Sequence, residues 1–306
     1  MKKFHNVKKK RKSLKKNLLV LHIKFFFGMA FNKIFASGSL PALVKFRSRC
    51  AYSDENDSSN GTNGSIQEVM PASAFKVNPN LGYKVHHHLL QLGIETPYDP
   101  LITDSSNENA ANNARKIEQI TDKFKEIMEI LGLDLTNDSL EKTPRRVAKM
   151  YVEEVFWGLN PHNFPHISTV KNSMKYDEMV IERNINVSSH CEHHFVHIDG
   201  IAHVGYIPKE RVIGLSKINR VVRYFSKRPQ IQERLTEQIY AALSYVLETQ
   251  DVAVTVIAQH FCVKCRGIED VNCNTVTSKL GGIFQTDQKT RGEFIRLIQI
   301  PNANCQ

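Results

Sequence analysis

The sequence predicts an α+β protein built around an antiparallel sheet. Apolar residues recur at helical spacing in the first part of the chain body, strand-like segments follow, and two more helical stretches lie among them. Strands that are not each followed by a helix are typical of an antiparallel rather than a parallel sheet. We expect an N-terminal helical region and helices on one face of the sheet. The strand-like segments are residues 179–187, 195–207 and 251–263.

Periodicity and end signals justify the helical region. Apolar side chains over residues 117–131 recur every three or four positions, and Gly132 ends the stretch. Thr143 followed by Pro144 is typical of an N-cap with proline in the first turn. We expect the helix that starts there to close at Gly158.

Turn and cap signals divide the rest of the chain. Asp199-Gly200 is a plausible turn inside the second strand-like segment. Ser216 is expected to cap a helix, and Pro229 is expected to open the next one. The last segment, 293–300, is compatible with a strand or a helix.

The positive charge of the chain is confined to its beginning. The chain has 306 residues and a formal net charge of +10, but residues 1–50 hold 14 Lys and Arg and no acidic residue. The remainder holds 27 basic and 31 acidic residues, a net charge of −4. Extended nucleic-acid binding by the body of the protein is therefore disfavoured.

The composition divides the chain into a leader and one domain. We expect residues 1–69 to be a basic leader followed by a polar, disordered linker, and residues 70–306 to form the domain. Within the domain, we expect a helical part at 70–160 and a sheet-containing part at 175–300.

The leader has several interpretations. No uncharged stretch in it is long enough to span a bilayer, and we expect no membrane contact for the globular part. A signal or transit peptide fits its basic, acid-free composition, and so does a dispensable tail or a start codon placed upstream. We expect a cytoplasmic protein, with organelle targeting as the alternative.

Cysteine and histidine cluster where a metal site is expected. Six cysteines in 306 residues are too few for a disulfide-stapled scaffold. Cys191 and His194 are three residues apart, so a tight turn directs both side chains at one point. Cys262 lies on the clearest strand, on the same face as His260. Two thiolates and an imidazole suit Zn²⁺, and three protein ligands leave a fourth position for water, as in catalytic sites.

Other interpretations of these residues stay open. Cys265 extends Cys262 to a Cys-x-x-Cys pair and a four-ligand structural site, which requires the strand to break at Val263. Both cysteines also fit buried apolar positions. The His-x-Glu of 190–192 with this pair fits the zinc-deaminase signature, although Phe261 stands where that signature has proline.

Cations near helix starts indicate an anion site. Lys217 and Arg220 share one face beside the predicted cap, and Arg146 and Lys149 follow Pro144 in the same way. Helix N-termini and cations together favour phosphate. A solvated basic face is the alternative, since further basic residues continue the first cluster at Arg223, Lys227 and Arg228.

Glu233 lies near the start of the helix expected after Pro229. An ion pair with a neighbouring residue is the default for a helix carboxylate. The sharper alternative is a buried carboxylate that accepts two N–H groups from the edge of a guanine.

Ordered motifs over residues 75–298 resemble the GTP cyclohydrolase I family. They include Ser-His-Cys-Glu-His-His-Phe at 189–195 and the segments 143–151, 207–220, 228–236, 260–267 and 280–284. The resemblance implies zinc-dependent conversion of GTP and water to formate and 7,8-dihydroneopterin triphosphate, the first step of folate or biopterin synthesis. It also implies the tunnelling fold, with two pentameric barrels stacked into a homodecamer and active sites between subunits.

By matching position, the resemblance assigns zinc to Cys191, His194 and Cys262 and proton transfer to His193 and His260. Many members of the family have an apolar residue at the position of Cys265. The cysteine in this chain suggests sensitivity to oxidation there. Substrate contacts are implied for Glu233, Gln232 and the Leu215 backbone with guanine, Ser216 with ribose, and Arg146, Lys149, Lys217, Arg220 and Arg266 with the triphosphate.

Two other functions remain in competition. A zinc-stabilised nucleotide-binding or regulatory module would bind GTP and leave it unchanged. A secreted protein with a disulfide between Cys191 and Cys262 would hold no metal, and metal analysis with thiol counting separates it from the hydrolase.

Overall fold

The computed structural model describes residues 76–99 and 109–301, and a five-stranded sheet lies at its centre. The predicted leader and linker, and Cys305, lie outside the described residues. Every statement below concerns the part of the chain that is described.

Helices come first, as predicted. α1 spans Pro79–Gln91, α2 Asn109–Ile130 and α3 Thr143–Lys149, and a π-helical turn at Met150–Val155 continues α3. Short 3-10 turns follow at Trp157–Leu159 and Pro161–Asn163. The sequence located α2 and α3, whereas α1 was not predicted as a separate helix.

The sheet is antiparallel except at one edge. Its strand order is β5-β2-β3-β6-β7, and only the β2–β5 pair is parallel. The strands β1 and β4 form a separate antiparallel pair. The strands are β1 Thr169–Lys171, β2 Val180–Cys191, β3 His197–Tyr206, β4 Arg211–Ile213, β5 Pro229–Gln230, β6 Val252–His260 and β7 Thr275–Leu280.

Five helical segments lie among and after these strands. They are α4 Leu215–Ser226, α5 Gln232–Leu247, α6 Phe261–Lys264, α7 Ile283–Thr286 and α8 Gln288–Gln299. The order of elements confirms the α+β class.

The main core lies between the sheet and the pair α4 and α5. Alternate residues of β2, β3 and β6 face these helices, because successive side chains of a strand point to opposite faces. Each fully buried aliphatic side chain contributes about 1.5–3 kcal/mol of hydrophobic stabilisation. Members of this core include Val187, Ile198, Val204, Val254, Val256, Ile218, Val222, Leu235 and Ile239.

The expectation of helices on one face only is wrong. Ala253 points to the face opposite the main core, where it packs with Phe284 and Phe294 of α7 and α8. Its cross-strand neighbour Gly205 admits the Phe294 ring, which would lie 2.9 Å from an added Cβ. Two small residues thus open a second, smaller core on that face.

Several predicted boundaries are corrected. Asp199-Gly200 is not a turn, since β3 runs through both residues and a Cβ on Gly200 would lie 2.2 Å from the Ile257 carbonyl oxygen. A glycine is therefore required at this position because β6 approaches the backbone too closely for a side chain. Pro229 starts the short parallel strand β5 rather than a helix.

Helix ends are corrected as well. Gly214, not Ser216, is the N-cap residue of α4, and it has no side chain to cap with. Residues 293–300 belong largely to α8, which starts after Asp287 because the Asp287 carboxylate accepts a hydrogen bond from Thr290 N at 2.8 Å.

Arg228 is buried, so the alternative of a solvated basic face does not hold for this residue. The side chain is 1% exposed and forms an ion pair with Glu95, which is 3% exposed. Its Nε donates to the Gly158 carbonyl at 2.7 Å, and its Nη2 donates to Tyr224 Oη at 2.8 Å. Lys227 beside it is also largely buried, and burial followed by repulsion from Arg223 lowers its pKa to about 8.

The Glu95 carboxylate accepts several hydrogen bonds in addition to its ion pair with Arg228. Burial alone would raise the pKa of its carboxyl, but the charge of Arg228 and hydrogen bonds from His86 and Thr96 outweigh burial and lower it. The amide of Gln238 donates to the same carboxylate at 3.2 Å. The segment after α1 is thereby attached to the sheet and helix core.

Among the described residues, none of the helices combines the length and the apolar character that a bilayer crossing requires.

Replacement of Glu95 by Gln should destabilise the fold strongly, because it leaves the Arg228 charge buried without its counter-ion. Loss of one partner of a buried pair costs about 3–5 kcal/mol. Urea denaturation measures the free energy of unfolding. The matched control is Glu237→Gln, since the Glu237–Lys279 pair is 38% and 37% exposed and such pairs contribute about 1 kcal/mol or less.

The pH dependence has a defined sign. Because the folded-state pKa of Glu95 is lowered, its stabilisation is present above the unfolded value of about 4.3 and is lost as the pH falls through the folded value. The Gln variant should lack this part of the acid transition. Equal losses in the two variants would contradict the assignment of Arg228 to a buried pair.

Candidate metal centre and substrate site

The strand register brings three chain segments to one end of the sheet. β2 ends at Cys191, β3 begins at His197 and β6 ends at His260. His190 is the partner of His197, and Ile198 is the partner of His260. The candidate ligands and proton-transfer residues follow or end these strands, so the antiparallel pairing itself collects them.

The connection between β2 and β3 is a tight turn. Cys191 N donates to the Val196 carbonyl at 2.8 Å, and Phe195 N donates to the Cys191 carbonyl at 2.8 Å. Phe195 has a φ of 52°, in the left-handed region that reverses the chain within few residues. Glu192 N donates to the Gln230 carbonyl of β5 at 3.0 Å. This turn fixes Cys191 and His194 relative to each other.

Cys262 reaches the site from a helical turn and not from a strand. β6 ends at His260, and α6 begins at Phe261. The predicted strand to residue 263, and the shared strand face of His260 and Cys262, are therefore wrong. The break comes earlier than the competing four-ligand interpretation required.

The predicted ligands nevertheless lie together. One ligand atom from each of Cys191, His194 and Cys262 lies within 4.8 Å of the others. Two such atoms on one tetrahedral zinc are separated by roughly 3.8 Å at ordinary bond lengths, so a small contraction suffices. Two sulfurs and one imidazole nitrogen form a donor set that fits Zn²⁺.

The thiol of Cys262 is electrostatically coupled to this cluster. Burial raises its pKa, and the neighbouring Cys191 thiol raises it further by hydrogen bonding and charge repulsion, while Arg266 lowers it. A cation placed between the sulfurs would favour both thiolates, since a metal ion deprotonates its thiol ligands.

Cys265 does not join the cluster. Its thiol is exposed and donates to the Phe261 carbonyl of its own helical turn at 2.7 Å. Cys191 and Cys262 are both free thiols in the described structure. The geometry favours the three-ligand set over the Cys-x-x-Cys set.

The two predicted proton-transfer histidines flank the cluster. His193 is exposed, with Nδ1 3.6 Å from Cys191 Sγ. His260 is half-buried, and its Nε2 lies 2.8 Å from Gln232 Oε1. Burial lowers the pKa of His260, and the charge of Glu233 opposes this shift.

An ion pair that the sequence did not reveal holds the turn in place. The Arg234 guanidinium of α5 donates to both carboxylate oxygens of Glu192. Both side chains are largely buried. The partners are 42 positions apart, so no local pattern could have indicated the contact.

Glu233 and Gln232 differ from their expectations. Glu233 is exposed, so the buried carboxylate proposed for guanine is not found within this chain. Gln232 is buried, and its amide is bonded inside the protein. Arg266, expected at the triphosphate, contacts the metal-ligand candidate His194 at 3.0 Å from Nη1 to Nε2.

The phosphate candidates fall into two groups. Arg146 and Lys149 are exposed on α3. Tyr151 of the π-helical turn and Phe156, which follows that turn, pack on the tight turn between β2 and β3. Their rings lie 6.0 and 5.2 Å from the ring of Phe195. These cations thus belong to the segment that borders the metal end of the sheet.

The second group, Lys217 and Arg220, lies on the first turns of α4. The same turns carry Leu215 and Ser216, the candidates for guanine and ribose. Ile213 N, just before α4, donates to Tyr206 Oη at 3.4 Å. Tyr206 ends β3 and His197 begins it, so this group lies at the opposite end of a strand about 30 Å long. One chain therefore does not bring all the predicted substrate contacts together.

Fold and site define an α+β protein with a Cys–His–Cys cluster at one end of its sheet. The family model for GTP cyclohydrolase I matches residues 120–299. The GTP cyclohydrolase 1 of Mannheimia succiniciproducens is 55% identical over 215 residues, which are 70% of this chain and 95% of that protein. The chain belongs to the GTP cyclohydrolase I family and is an enzyme of that family.

Two further relatives agree. The GTP cyclohydrolase 1 of Haemophilus ducreyi is 54% identical over 70% of this chain and 95% of its own length. That of Pasteurella multocida is 53% identical over 73% of this chain and 98% of its own length. The similarity thus extends over nearly the whole length of each relative.

Replacement of Cys262 by Ser should remove bound zinc, because it takes one of two thiolates from a three-ligand set. Elemental analysis of the purified protein should fall from about one zinc per chain to nearly none. Cys265→Ser is the matched control and should keep its zinc. Full zinc content in the Cys262 variant would contradict the ligand set.

Proposed function

We propose that the protein catalyses zinc-dependent hydrolysis of GTP at C8 of guanine, followed by rearrangement to 7,8-dihydroneopterin triphosphate with release of formate. The observation that carries this proposal is the cluster of Cys191, His194 and Cys262 with two histidines beside it. The relatives named GTP cyclohydrolase 1 support the substrate.

The chain's own groups fit this chemistry. A zinc ion held by the cluster would supply Lewis acidity and make a water molecule reactive at neutral pH. His193 and His260 provide imidazoles that can exchange protons with the guanine ring and the leaving groups. The tight turn carries His193 and the end of β6 carries His260, so both residues lie at the end of the sheet that holds the ligand candidates.

The remaining side chains bind and orient the substrate. Glu233 offers a carboxylate at the first turn of α5 for the N–H edge of guanine. The cations Lys217 and Arg220 stand on the first turns of α4, where the helix N-terminus also favours phosphate. These contacts do not react, and their contribution is orientation.

We infer that a second copy of the chain completes each active site. The start of α4 lies at one end of β3, and the tight turn between β2 and β3 lies at the other end. Within one chain these two places are too far apart for one bound GTP to contact both. A neighbouring copy could place the start of its own α4 beside the Cys–His–Cys cluster, so that one GTP contacts both. The homodecamer implied by the resemblance provides such neighbours, and light scattering measures the assembly.

A nucleotide-binding module without turnover is the competing function. It predicts bound GTP that stays intact. Both histidines and all three ligand candidates are in place in this chain, which favours turnover.

Zinc-loaded protein incubated with GTP should yield formate and, after oxidation, a fluorescent pterin. His193→Asn should lower kcat by about 10²–10⁴-fold, because general acid–base catalysis contributes that much. Fluorescence after phosphatase treatment measures the product. Intact GTP after prolonged incubation of the zinc-loaded protein would refute the hydrolase in favour of the binding module.

Co-expression of two inactive variants should restore activity if the site is shared. Cys262→Ser damages the metal half and Lys217→Met the phosphate half, and random mixing leaves about a quarter of the sites with both halves intact. The control pair, Cys262→Ser with His193→Asn, damages the same half and should stay inactive. Hybrid oligomers without activity in the first pair would overturn the shared site.

A further inference from the structure

The side chain of Gln232 is enclosed and fully hydrogen-bonded. It is 1% exposed. Its Nε2 donates to the carbonyls of Val256 and Thr275 at 3.0 and 2.9 Å and contacts Thr277 Oγ1 at 3.2 Å. Its Oε1 lies 2.8 Å from His260 Nε2. The amide thus connects the middle of β6 and the start of β7 to a histidine of the candidate site.

The surrounding carbonyls determine which way this amide points. A backbone carbonyl oxygen only accepts hydrogen bonds. A flipped amide would place the Gln232 oxygen against the Val256 and Thr275 carbonyls and leave three acceptors facing one another. The nitrogen must therefore face the strands, and the oxygen must face His260.

This orientation determines the tautomer of His260. The Gln232 oxygen can only accept, so the proton of the hydrogen bond sits on His260 Nε2. In the neutral ring the other nitrogen, Nδ1, then carries the lone pair. Nδ1 is the atom left to take up and return a proton.

A second set of bonds keeps Gln232 in place. Thr277 Oγ1 lies 2.6 Å from Thr236 Oγ1, and the Thr236 hydroxyl donates to the Gln232 carbonyl at 2.9 Å. The first turn of α5 and strand β7 therefore hold the amide from both sides. Such a closed network is rigid because every polar atom in it has a partner.

We propose that Gln232 is a positioning residue that fixes the Nε2–H tautomer of His260, so that His260 exchanges protons with the substrate through Nδ1. This inference deepens the proposed function and rests on it for the catalytic consequence. It replaces the guanine contact that the resemblance implies for Gln232, since an amide bonded on both sides has no free group to offer the base.

Kinetics of Gln232→Met separate the two roles. Methionine preserves length and removes both hydrogen-bonding groups. Loss of tautomer control should lower kcat by about 100-fold, within the range for general acid–base catalysis, with little change of KM for GTP. A guanine contact predicts the reverse, a raised KM with kcat nearly unchanged, and that result would overturn the proposal.

Gln238→Met is the matched control. Gln238 is a fully buried glutamine on the same helix, and its amide is bonded to Ile94, Glu95 and Thr96 instead of His260. It should lose stability comparably and keep kcat. An equal fall of kcat in both variants would show that general loosening of α5, and not His260, explains the effect.

A direct measurement on the unaltered zinc-loaded protein does not depend on turnover or on folding of a variant. Solid-state ¹⁵N NMR of histidine-labelled protein at pH 8 distinguishes the two neutral tautomers, and the His260 signal is the one that His260→Asn removes. Nε2–H is expected, and Nδ1–H would overturn the proposal. Absence of GTP turnover with Nε2–H present would refute the proposed function alone.

Discussion

The tight turn between β2 and β3 is the constraint on which the candidate site depends. Backbone hydrogen bonds close it, and the ion pair between Glu192 and Arg234 attaches it to α5. Because these contacts fix the turn at both ends, they set the backbone positions of Cys191 and His194 relative to each other. The pairing of β6 with β3 brings the helical turn α6, and with it Cys262, to the same end of the sheet. Local hydrogen bonds in the turn and the long-range pairing of the strands thus place the three ligand candidates at one end of the sheet.

Local spacing was sufficient to predict part of this site, and tertiary contacts decided the rest. The separation of Cys191 and His194 indicates a shared turn whatever surrounds it. Cys262 lies beside the other two ligand candidates, but the reason given for placing it there is wrong, because a β-branched run does not reveal that its strand ends at His260. The role of Gln232 depends on carbonyls of β6 and the residue that begins β7, which no sequence pattern places beside it.

Similar limits apply to the fold. Helical periodicity and β-branched runs predicted the α+β class, because they report burial of one face. Gly200 was taken for a turn residue, although the close approach of β6 is what requires a glycine there. The alternative of a solvated basic face included Arg228, since its partner Glu95 lies 133 positions away and no local pattern indicates it. Each error concerns a residue whose role is set by a distant part of the chain.

The distance between Glu95 and Arg228 along the chain has a consequence for dissecting the protein. The sheet-containing part includes the buried guanidinium of Arg228, whose counter-ion Glu95 lies in the segment after α1. Expressed separately, this part would contain a buried charge without its counter-ion. The expected boundary between the helical part and the sheet-containing part of the domain is therefore not a place to cut. A fragment that begins after residue 99 would have to admit water to the centre of its own core.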